Sequence, residues 1–260
     1  MQTIDKRRSQ FKALHAERKA FVMPNPFDVG TTRILEGLQF EALATTSAGF
    51  AFTHGLKDAE GLITRDMALE HAQSIVEAST LPVNGDLENG FGHSPEDVVE
   101  TVKGAIEVGL SGCSIEDYTT NPDDPYYAFD LAIDRIKAAV AAKNKLAPDF
   151  VLTARSEAPI ETEQDLENTI TRLRAFAEAG ADCIYAPELV KKEHIARVVA
   201  EIDAPLNVLA GRKNFHMTRK ELGDLDVARA SIGSGLARIA FGAFTYAAEH
   251  MKDGGTFGCF

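Results

Sequence analysis

Short apolar runs alternate with helical patterns eight times along this chain, and no linker or change of composition separates the units. The apolar runs have the length of strands, and the segments between them repeat apolar residues at helical spacing. This alternation predicts parallel strands joined by crossover helices. Because eight units fit within 260 residues, we expect residues 1–260 to form one (β/α)8 TIM barrel domain, with an N-terminal helix at residues 4–18.

Turn residues mark the boundaries of these units. The predicted strands lie at residues 20–23, 41–46, 81–85, 112–115, 150–154, 182–186, 205–209 and 230–232. Helices end on glycine before two of them, in the weakly repeated patterns Ile106–Gly109 and Ala177–Gly180. A doubly wound open sheet is the alternative fold. Its glycine-rich loop should follow the first strand, where this chain has Pro24-Asn25-Pro26.

Charge and cysteine content narrow the class of protein. The formal net charge of -12 and the absence of a basic stripe argue against nucleic acid as a partner. The first ten residues are charged and no 18 apolar residues run together, so we expect neither a signal peptide nor a membrane span. Cys113, Cys183 and Cys259 are few and far apart, as in a cytoplasmic protein without disulfides. With no CxxC or HExxH spacing, a zinc site is not expected.

Polar side chains follow almost every predicted strand. Asp86 and Glu88 come directly after the third strand, and side chains at i and i+2 of an extended backbone point the same way. A barrel would gather these strand ends on one face. The residues there are Asn25, Ser47, Asp86, Glu88, Glu116, Asp117, Arg155, Glu188 and Asn207. Acids gathered around one arginine repel one another unless a cation binds, and oxygen ligands alone indicate Mg²⁺, with Mn²⁺ as the alternative.

Five motifs in sequence order resemble those of the isocitrate lyase/phosphoenolpyruvate mutase superfamily. They are Ser47-Ala48-Gly49, Gly85-Asp86-Leu87-Glu88-Asn89-Gly90-Phe91-Gly92, Ser114-Ile115-Glu116-Asp117, Thr153-Ala154-Arg155 and Pro187-Glu188. The resemblance covers roughly residues 20 to 240. It implies a (β/α)8 barrel that exchanges its C-terminal helix between subunits and assembles as a homotetramer, a dimer of dimers. It also implies a Mg²⁺-bound 2-oxo acid, or its enolate, at the strand ends.

The resemblance further implies a role for each residue of the site. Asp86 corresponds to the direct metal ligand, and the acids that hold the metal's waters correspond to Asp58, Glu88 and Glu116. The residues implied to bind the substrate are Ser47, Ala48, Gly49, Asp86, Arg155, Glu188 and Asn207. Arg155 is also implied to be catalytic, because a fixed and always-charged donor stabilises an enolate.

The loop at residues 118–127 departs from the family pattern, because it has no Cys, Lys or His where superfamily lyases carry an acid/base cysteine. Cys113 lies in the preceding strand and is expected to be a packed core residue. His216 follows the seventh strand and is expected to be solvated. The candidates left to move a proton are therefore Tyr118, Tyr126, Tyr127 or a metal-bound water.

These features together predict a Mg²⁺-dependent carbon–carbon lyase or decarboxylase that acts on a 2-oxo acid or related carboxylate through an enolate. Phosphonopyruvate-type P–C chemistry is one alternative, although the loop has aspartates in place of basic residues. A phosphate-binding barrel built on Gly211 and Gly233-Ser234-Gly235 is a second. A third is a barrel that binds a 2-oxo acid without turning it over. The substrate itself cannot be read from these motifs.

Overall fold

Eight parallel strands make the sheet of this protein, in a computed structural model that describes residues 2–255 and 257–258. The strands are β1 (Phe21–Met23), β2 (Leu43–Ala44), β3 (Val83–Asp86), β4 (Gly112–Glu116), β5 (Val151–Arg155), β6 (Cys183–Tyr185), β7 (Leu206–Leu209) and β8 (Arg229–Ser231). Each strand from β2 to β7 pairs with the next along the chain, and β8 pairs with β1. This nearly closed ring of parallel strands confirms the predicted (β/α)8 barrel. Cys259 lies outside the described residues.

Helices connect the strands and cover the outside of the barrel. They are α1 (Ile4–Glu17), α2 (Val29–Gly37), α3 (Ser47–Thr53), α4 (Arg65–Ala78), α5 (Pro95–Glu107), α6 (Phe129–Leu146), α7 (Glu163–Glu178), α8 (Lys192–Glu201), α9 (Arg219–Gly223) and α10 (Gly235–Gly254). In the sequence, a Ser or Thr stands at the predicted start of four of these helices, and each of these side chains accepts a backbone N–H of the first turn: Thr64, Ser94, Thr162 and Thr218. Among the described helices, none is both long and apolar enough to cross a membrane.

One short helix was not expected from the sequence. The segment Ser47-Ala48-Gly49, which the resemblance implies to bind the substrate, begins α3, because the side chain of Thr46 accepts the amide N–H of Gly49 at 3.2 Å. Gly49 is required there, since a Cβ atom would lie 2.5 Å from Cγ2 of Thr46. The start of α3 is thereby held at the C-terminal end of β2, beside the end of β3.

β1 and β2 form no strand ladder, and one backbone hydrogen bond and the side chain of Asn25 join them instead. The amide of Ala44 donates to the carbonyl of Pro24 at 3.1 Å. The Asn25 side chain donates to the Thr45 carbonyl at 2.8 Å, and its Oδ1 accepts the amides of residues 232 and 233 at 3.0 and 2.9 Å. Asn25, predicted to lie among the strand-end polar residues, therefore joins three strand ends.

The N-terminal end of the barrel is closed by α1, as the predicted N-terminal helix requires. Phe11 and His15 are buried there, and Nδ1 of His15 lies 2.8 Å from the Phe11 carbonyl. Above them the buried guanidinium of Arg229 contacts Nε2 of His15 at 3.0 Å and Oδ1 of Asn207 at 2.8 Å. Because one end is plugged in this way, ligands can enter only from the C-terminal ends of the strands.

Candidate active site

A cavity of about 180 Å³ opens at the C-terminal ends of the strands. Its lining residues are Ser47, Asp58, Ala59, Glu88, Glu116, Tyr118, Thr120, Tyr126, Arg155 and Glu157. Five of the residues predicted for the site, from distant parts of the chain, thus share one small space. A volume well below that of a drug-sized pocket suits a ligand of a few carbon atoms.

Arg155 is the centre of an ion-pair cluster at the base of this cavity. Its Nη1 lies 3.3 Å from Oδ1 of Asp86 and 3.3 Å from Oε2 of Glu116, and its Nε donates to Glu157. The ring of Tyr185 lies 5.0 Å from the guanidinium carbon. Burial alone would lower the pKa of Arg155, but Glu116 and Glu157 raise the pKa well above its ordinary value. Arg155 is therefore a permanently charged group.

Burial and mutual repulsion raise the pKa values of three of the carboxylates that line the cavity around Arg155. Burial, followed by repulsion from Asp86 and Asp58, raises the pKa of Glu88 to about 7. Burial also raises the pKa of Asp58, with a further contribution from Asp86. The pKa of Glu116 is raised well above its ordinary value by burial, despite the nearby charge of Arg155. These acids hold protons at unusually high pH, which is what an acidic cluster does when no cation neutralises it.

The donor set of this cluster consists of carboxylate oxygens, the ligands that Mg²⁺ and Mn²⁺ prefer. Within the part of the chain that the structure describes, no three acidic, histidine or cysteine side chains converge closely enough to ligate one ion directly. Mg²⁺ usually keeps several waters and takes only one or two carboxylates. The residues present therefore fit a hydrated divalent cation better than a fully protein-coordinated one.

Of the segment Ser47-Ala48-Gly49, which the resemblance implies to bind the substrate, one residue lines the cavity. The amide and the hydroxyl of Ser47 each donate to Oδ2 of Asp86 at 3.0 Å. Ala48 and Gly49 are buried behind Ser47 and do not line the cavity. Ser47 thus orients the Asp86 carboxylate, whose other oxygen faces Arg155.

Glu188 and Asn207 lie away from the main cavity. Glu188 forms an ion pair with Arg212 at the rim of the barrel. Asn207 is buried below the acids, where its amide donates to Ser231 at 3.0 Å and its oxygen accepts from Arg229. A second cavity of about 40 Å³ joins Asn207 to Asp86 and Arg155. The predicted substrate contact of Asn207 would have to be made through that lower space.

The loop at residues 118–127 folds as a hairpin over the cavity and is here called the lid. Tyr118 and Tyr126 pair as an antiparallel bridge, and the amide of Tyr127 donates to the Asp117 carbonyl at 3.0 Å. Both bridge residues line the cavity, with ring centroids 6.3 Å apart. Burial, followed by the charge of the Glu157 carboxylate, raises the pKa of Tyr126. Tyr126 is therefore a neutral phenol at ordinary pH.

Tyr127, the third tyrosine considered from the sequence, packs away from the cavity. It is 5% exposed, and its hydroxyl lies 2.8 Å from Nδ1 of His93 and 3.1 Å from the amide nitrogen of Asn89. The guanidinium of Arg135 lies 4.2 Å above its ring. Tyr127 therefore anchors the base of the lid to the loop after β3.

Three other sequence expectations can be compared with the structure. Cys113 is fully buried, and burial raises the pKa of its thiol, as expected for a core residue. His216 is exposed and does not line the cavity, as expected for a solvated loop residue. The glycine loop after β8 has the amide of Gly233 bonded to Asn25, so this donor is not free to bind phosphate.

Sequence reasoning missed Glu157 and misplaced Asp117. Glu157 stands two residues after Arg155, the same spacing that was used for Asp86 and Glu88, so the signal was present. Asp117 points away from the cavity, where its carboxylate accepts the Glu157 amide at 2.7 Å and lies 3.3 Å from Arg172. Neighbours along a strand point to opposite faces, which separates Glu116 from Asp117.

Most of this chain matches one protein family, and similar enzymes and solved structures match nearly its whole length. The phosphoenolpyruvate phosphomutase family model matches residues 11–252. The 2-methylisocitrate lyase of Escherichia coli K12 is 32% identical over 258 residues, covering 92% of this chain and 84% of that protein. A crystal structure from Burkholderia cenocepacia J2315, provisionally described as a lyase/mutase, is 46% identical and covers 98% and 91% of the two chains with a TM-score of 0.94. The crystal structure of 2,3-dimethylmalate lyase, described as a PEP mutase/isocitrate lyase superfamily member, is 25% identical and covers 99% and 90% with a TM-score of 0.88.

Proposed function

Because this chain belongs to the phosphoenolpyruvate phosphomutase family, we propose that it is a carbon–carbon lyase acting on a small 2-oxo acid or related carboxylate through an enolate. The observation that carries this proposal is the ion-pair cluster at the base of the cavity. Arg155, which lines the cavity of about 180 Å³, lies 3.3 Å from both Asp86 and Glu116. The Arg155 guanidinium, together with a cation held by these acids, would stabilise negative charge that develops on a small bound acid.

The proposed cofactor is Mg²⁺, with Mn²⁺ as a possible substitute. Asp86 would bind the cation directly, and the residues that would hold its waters are Asp58, Glu88 and Glu116. The raised pKa values of these last three acids support the assignment, since a dication would relieve the repulsion that raises them. When bound, the ion would supply electrostatic stabilisation of the charge that develops on the substrate oxygens.

The protein's own residues would bind the substrate and complete the reaction. Arg155 would hold the substrate carboxylate or the developing oxyanion, and one preorganised donor of this kind is typically worth about 3–4 kcal/mol. Ser47 would keep Asp86 in place through its two hydrogen bonds. Tyr126 would return a proton to the enolate carbon, since its raised pKa keeps the phenol protonated. The lid would exclude bulk water during these steps.

The other reactions considered fit the cavity less well. P–C chemistry would place a phosphonyl group against the lid, which presents Tyr118, Thr120 and Tyr126 to the cavity. A phosphate-binding barrel would need free amides after β8, and Asn25 already accepts that of Gly233. A barrel that binds but does not convert a 2-oxo acid differs from the proposed enzyme only in turnover.

We also propose that α10 packs against a second copy of this chain, as in a dimer of dimers with exchanged C-terminal helices. Three large side chains on this helix are strongly exposed: Ile239 by 70%, Phe244 by 73% and Tyr246 by 58%. Within its own chain the helix buries only Ala237, although Phe241 packs 6.0 Å from Phe27. A helix with this much exposed apolar surface is stabilised by covering that surface.

The test of the proposed function is a Mg²⁺-dependent assay of oxaloacetate, 2-methylisocitrate, alkylated malates and phosphonopyruvate. Asp86→Ala should reduce turnover to below about 1% of wild type, and should abolish Mg²⁺-dependent binding of oxalate measured by calorimetry. Glu60→Ala, which removes an exposed acid paired with Lys57, is the matched control. Turnover that survives Asp86→Ala would overturn the mechanism. Oxalate binding without turnover of any substrate would indicate a binding protein.

A further inference from the structure

We propose that Arg135, on α6, is a positioning residue for the cation site, because it holds Glu88 in the conformation that faces the cavity. Arg135 does not itself line the cavity. The inference rests on the proposed function, in which Glu88 holds the waters of a divalent cation. Its basis is a set of hydrogen bonds from one buried guanidinium to the loop at residues 87–94, here called the β3–α5 loop.

The β3–α5 loop turns sharply directly after the end of β3. Glu88 has a φ of +47° and Phe91 a φ of +57°, both in the left-handed region that is unfavourable for residues other than glycine. Gly90 lies between them with a φ of +85°. Backbone of this kind persists only where the surrounding structure fixes it. The direction of the Glu88 side chain therefore depends on contacts from outside the loop.

Arg135 supplies such contacts to three carbonyl groups of the loop. Its Nη1 donates to the Gly92 carbonyl at 2.9 Å and to the Ser94 carbonyl at 3.3 Å, and its Nη2 donates to the Asn89 carbonyl. Asn89 directly follows Glu88, so one of these bonds holds the residue next to the acid. A planar guanidinium can serve several acceptors at once, and Arg135 thereby joins both ends of the turn.

The surroundings of Arg135 differ from those of an ordinary ion pair. The residue is 1% exposed, and burial lowers the pKa of its guanidinium. All of its described hydrogen bonds go to uncharged carbonyl groups. The ring of Tyr127 lies 4.2 Å from the guanidinium carbon. Burial of a cation is costly unless its donors are used, and here the donors are used to hold the β3–α5 loop.

Glu88 connects this loop to the proposed cation site. Its side chain lines the cavity, whereas its carbonyl accepts the amide N–H of Glu116 at 2.9 Å. A rotation of the peptide after Glu88 would therefore move the carboxylate of Glu88 relative to that of Glu116. Groups that orient metal-binding side chains from outside typically change metal affinity by about 10–100-fold when they are mutated. We therefore expect Arg135 to control the affinity for the cation.

The test compares two buried arginines that both donate to main-chain carbonyls. Arg135→Met removes the donors at similar side-chain length, and Arg135→Lys keeps a single charged donor group. Arg7→Met is the matched control. Arg7 is 6% exposed, and its Nη1 donates to the carbonyls of Val76 and Ser79 at 3.3 and 3.1 Å, before the start of β3 and away from the cavity.

The measurement is Mn²⁺ binding by the full chain, by calorimetry and by electron paramagnetic resonance, which detects free Mn²⁺. Arg135→Met should weaken binding by about 10–100-fold and Arg135→Lys by about tenfold, since an ammonium group cannot reach all three carbonyls. Without metal, Arg135→Met and Arg7→Met should both unfold at a lower temperature than wild type. Arg7→Met should nevertheless keep the wild-type affinity for Mn²⁺. Tyr127→Phe, which keeps the ring beside Arg135, should keep it too.

A double-mutant cycle tests whether Arg135 acts through Glu88. In a Glu88→Ala background, Arg135→Lys should change the affinity for Mn²⁺ by less than about twofold, because the side chain that Arg135 positions has been removed. A purely structural role would give the same loss of affinity in both backgrounds. If Arg135→Met does not fold, Arg135→Lys provides the same comparison.

Three outcomes would overturn the inference while leaving the proposed function intact: wild-type Mn²⁺ affinity in both Arg135 variants, an equal effect of Arg135→Lys with and without Glu88, or an equal loss of affinity in Arg7→Met. A wild type that binds neither Mn²⁺ nor, in the presence of Mg²⁺, oxalate would contradict the proposed function itself, and this inference with it.

Discussion

The Nη1 atom of Arg155, at the end of β5, lies 3.3 Å from Oδ1 of Asp86, at the end of β3. Both side chains are about four-fifths buried, with exposed fractions of 19% and 18%. When a pair of this kind is broken, the remaining charge is left partly buried without compensation. Under the proposed function, the contact would therefore link substrate binding by Arg155, metal binding by Asp86 and the stability of the strand ends.

Arg155→Lys should lower kcat by about 10²–10³-fold. A lysine ammonium cannot reproduce the planar guanidinium that contacts Asp86 and Glu116 with one nitrogen and Glu157 with another. Steady-state kinetics would measure the effect. Arg174→Lys, on the surface of α7, is the control and should behave as wild type. A variant at position 155 that keeps kcat within threefold would show that the guanidinium geometry is unimportant.

Glu88 should make the metal-free protein less stable as the pH rises. Burial raises its pKa from 4.5 to about 7, so between these values the folded protein holds a proton that the unfolded chain has released. The free energy of unfolding should therefore fall through this window, by on the order of 3 kcal/mol. Urea denaturation at pH 5 and pH 7.5 would measure the change.

Glu88→Gln should remove that part of the pH dependence, because an amide does not titrate. In the wild type, Mg²⁺ should also reduce the loss of stability with rising pH, because the bound cation replaces the proton on Glu88. Mg²⁺ binding should therefore release protons near pH 7. Identical pH dependence in wild type and Glu88→Gln would contradict the assignment.

The two neighbouring tyrosines of the lid should respond differently to loss of their hydroxyls. Tyr126→Phe should lower kcat by roughly 10²-fold if this phenol protonates the enolate. Tyr127→Phe should leave the chemistry intact and lower stability by about 1 kcal/mol, because it removes hydrogen bonds to His93 and Asn89. Kinetics and thermal unfolding of both variants would separate the roles. If Tyr126→Phe and Tyr127→Phe lowered kcat equally, both hydroxyls would affect the reaction only by holding the lid in position.

Phe244→Glu should reduce the size of the assembly in solution. Its side chain is 73% exposed on α10, and a charge there would oppose burial against another subunit. Light scattering coupled to gel filtration would measure the mass of wild type and variant. Lys252→Glu, near the end of the same helix, tests whether any added negative charge has this effect. A monomeric wild type would refute the proposed packing of α10.

The local features of the chain were predictable because they depend on neighbouring residues. Eight strands and the caps of four helices were identified from apolar spacing and from residues such as Ser94 and Thr218. The short helix α3 was missed because seven residues carry little periodicity, and its start depends on a single cap at Thr46. The predicted strand boundaries differ from those in the structure by one or two residues, because short elements carry little periodicity.

The sequence by itself determined the barrel and the acidic character of its open end, because the period of apolar residues defines the elements and the acids directly follow the strands. Only the tertiary structure decided which polar groups share the cavity. It placed Glu157 beside Arg155, turned Asp117 toward Arg172, and buried Tyr127 while leaving Tyr126 at the cavity. These outcomes depend on side-chain directions and on contacts between residues far apart in the chain, which no local pattern records.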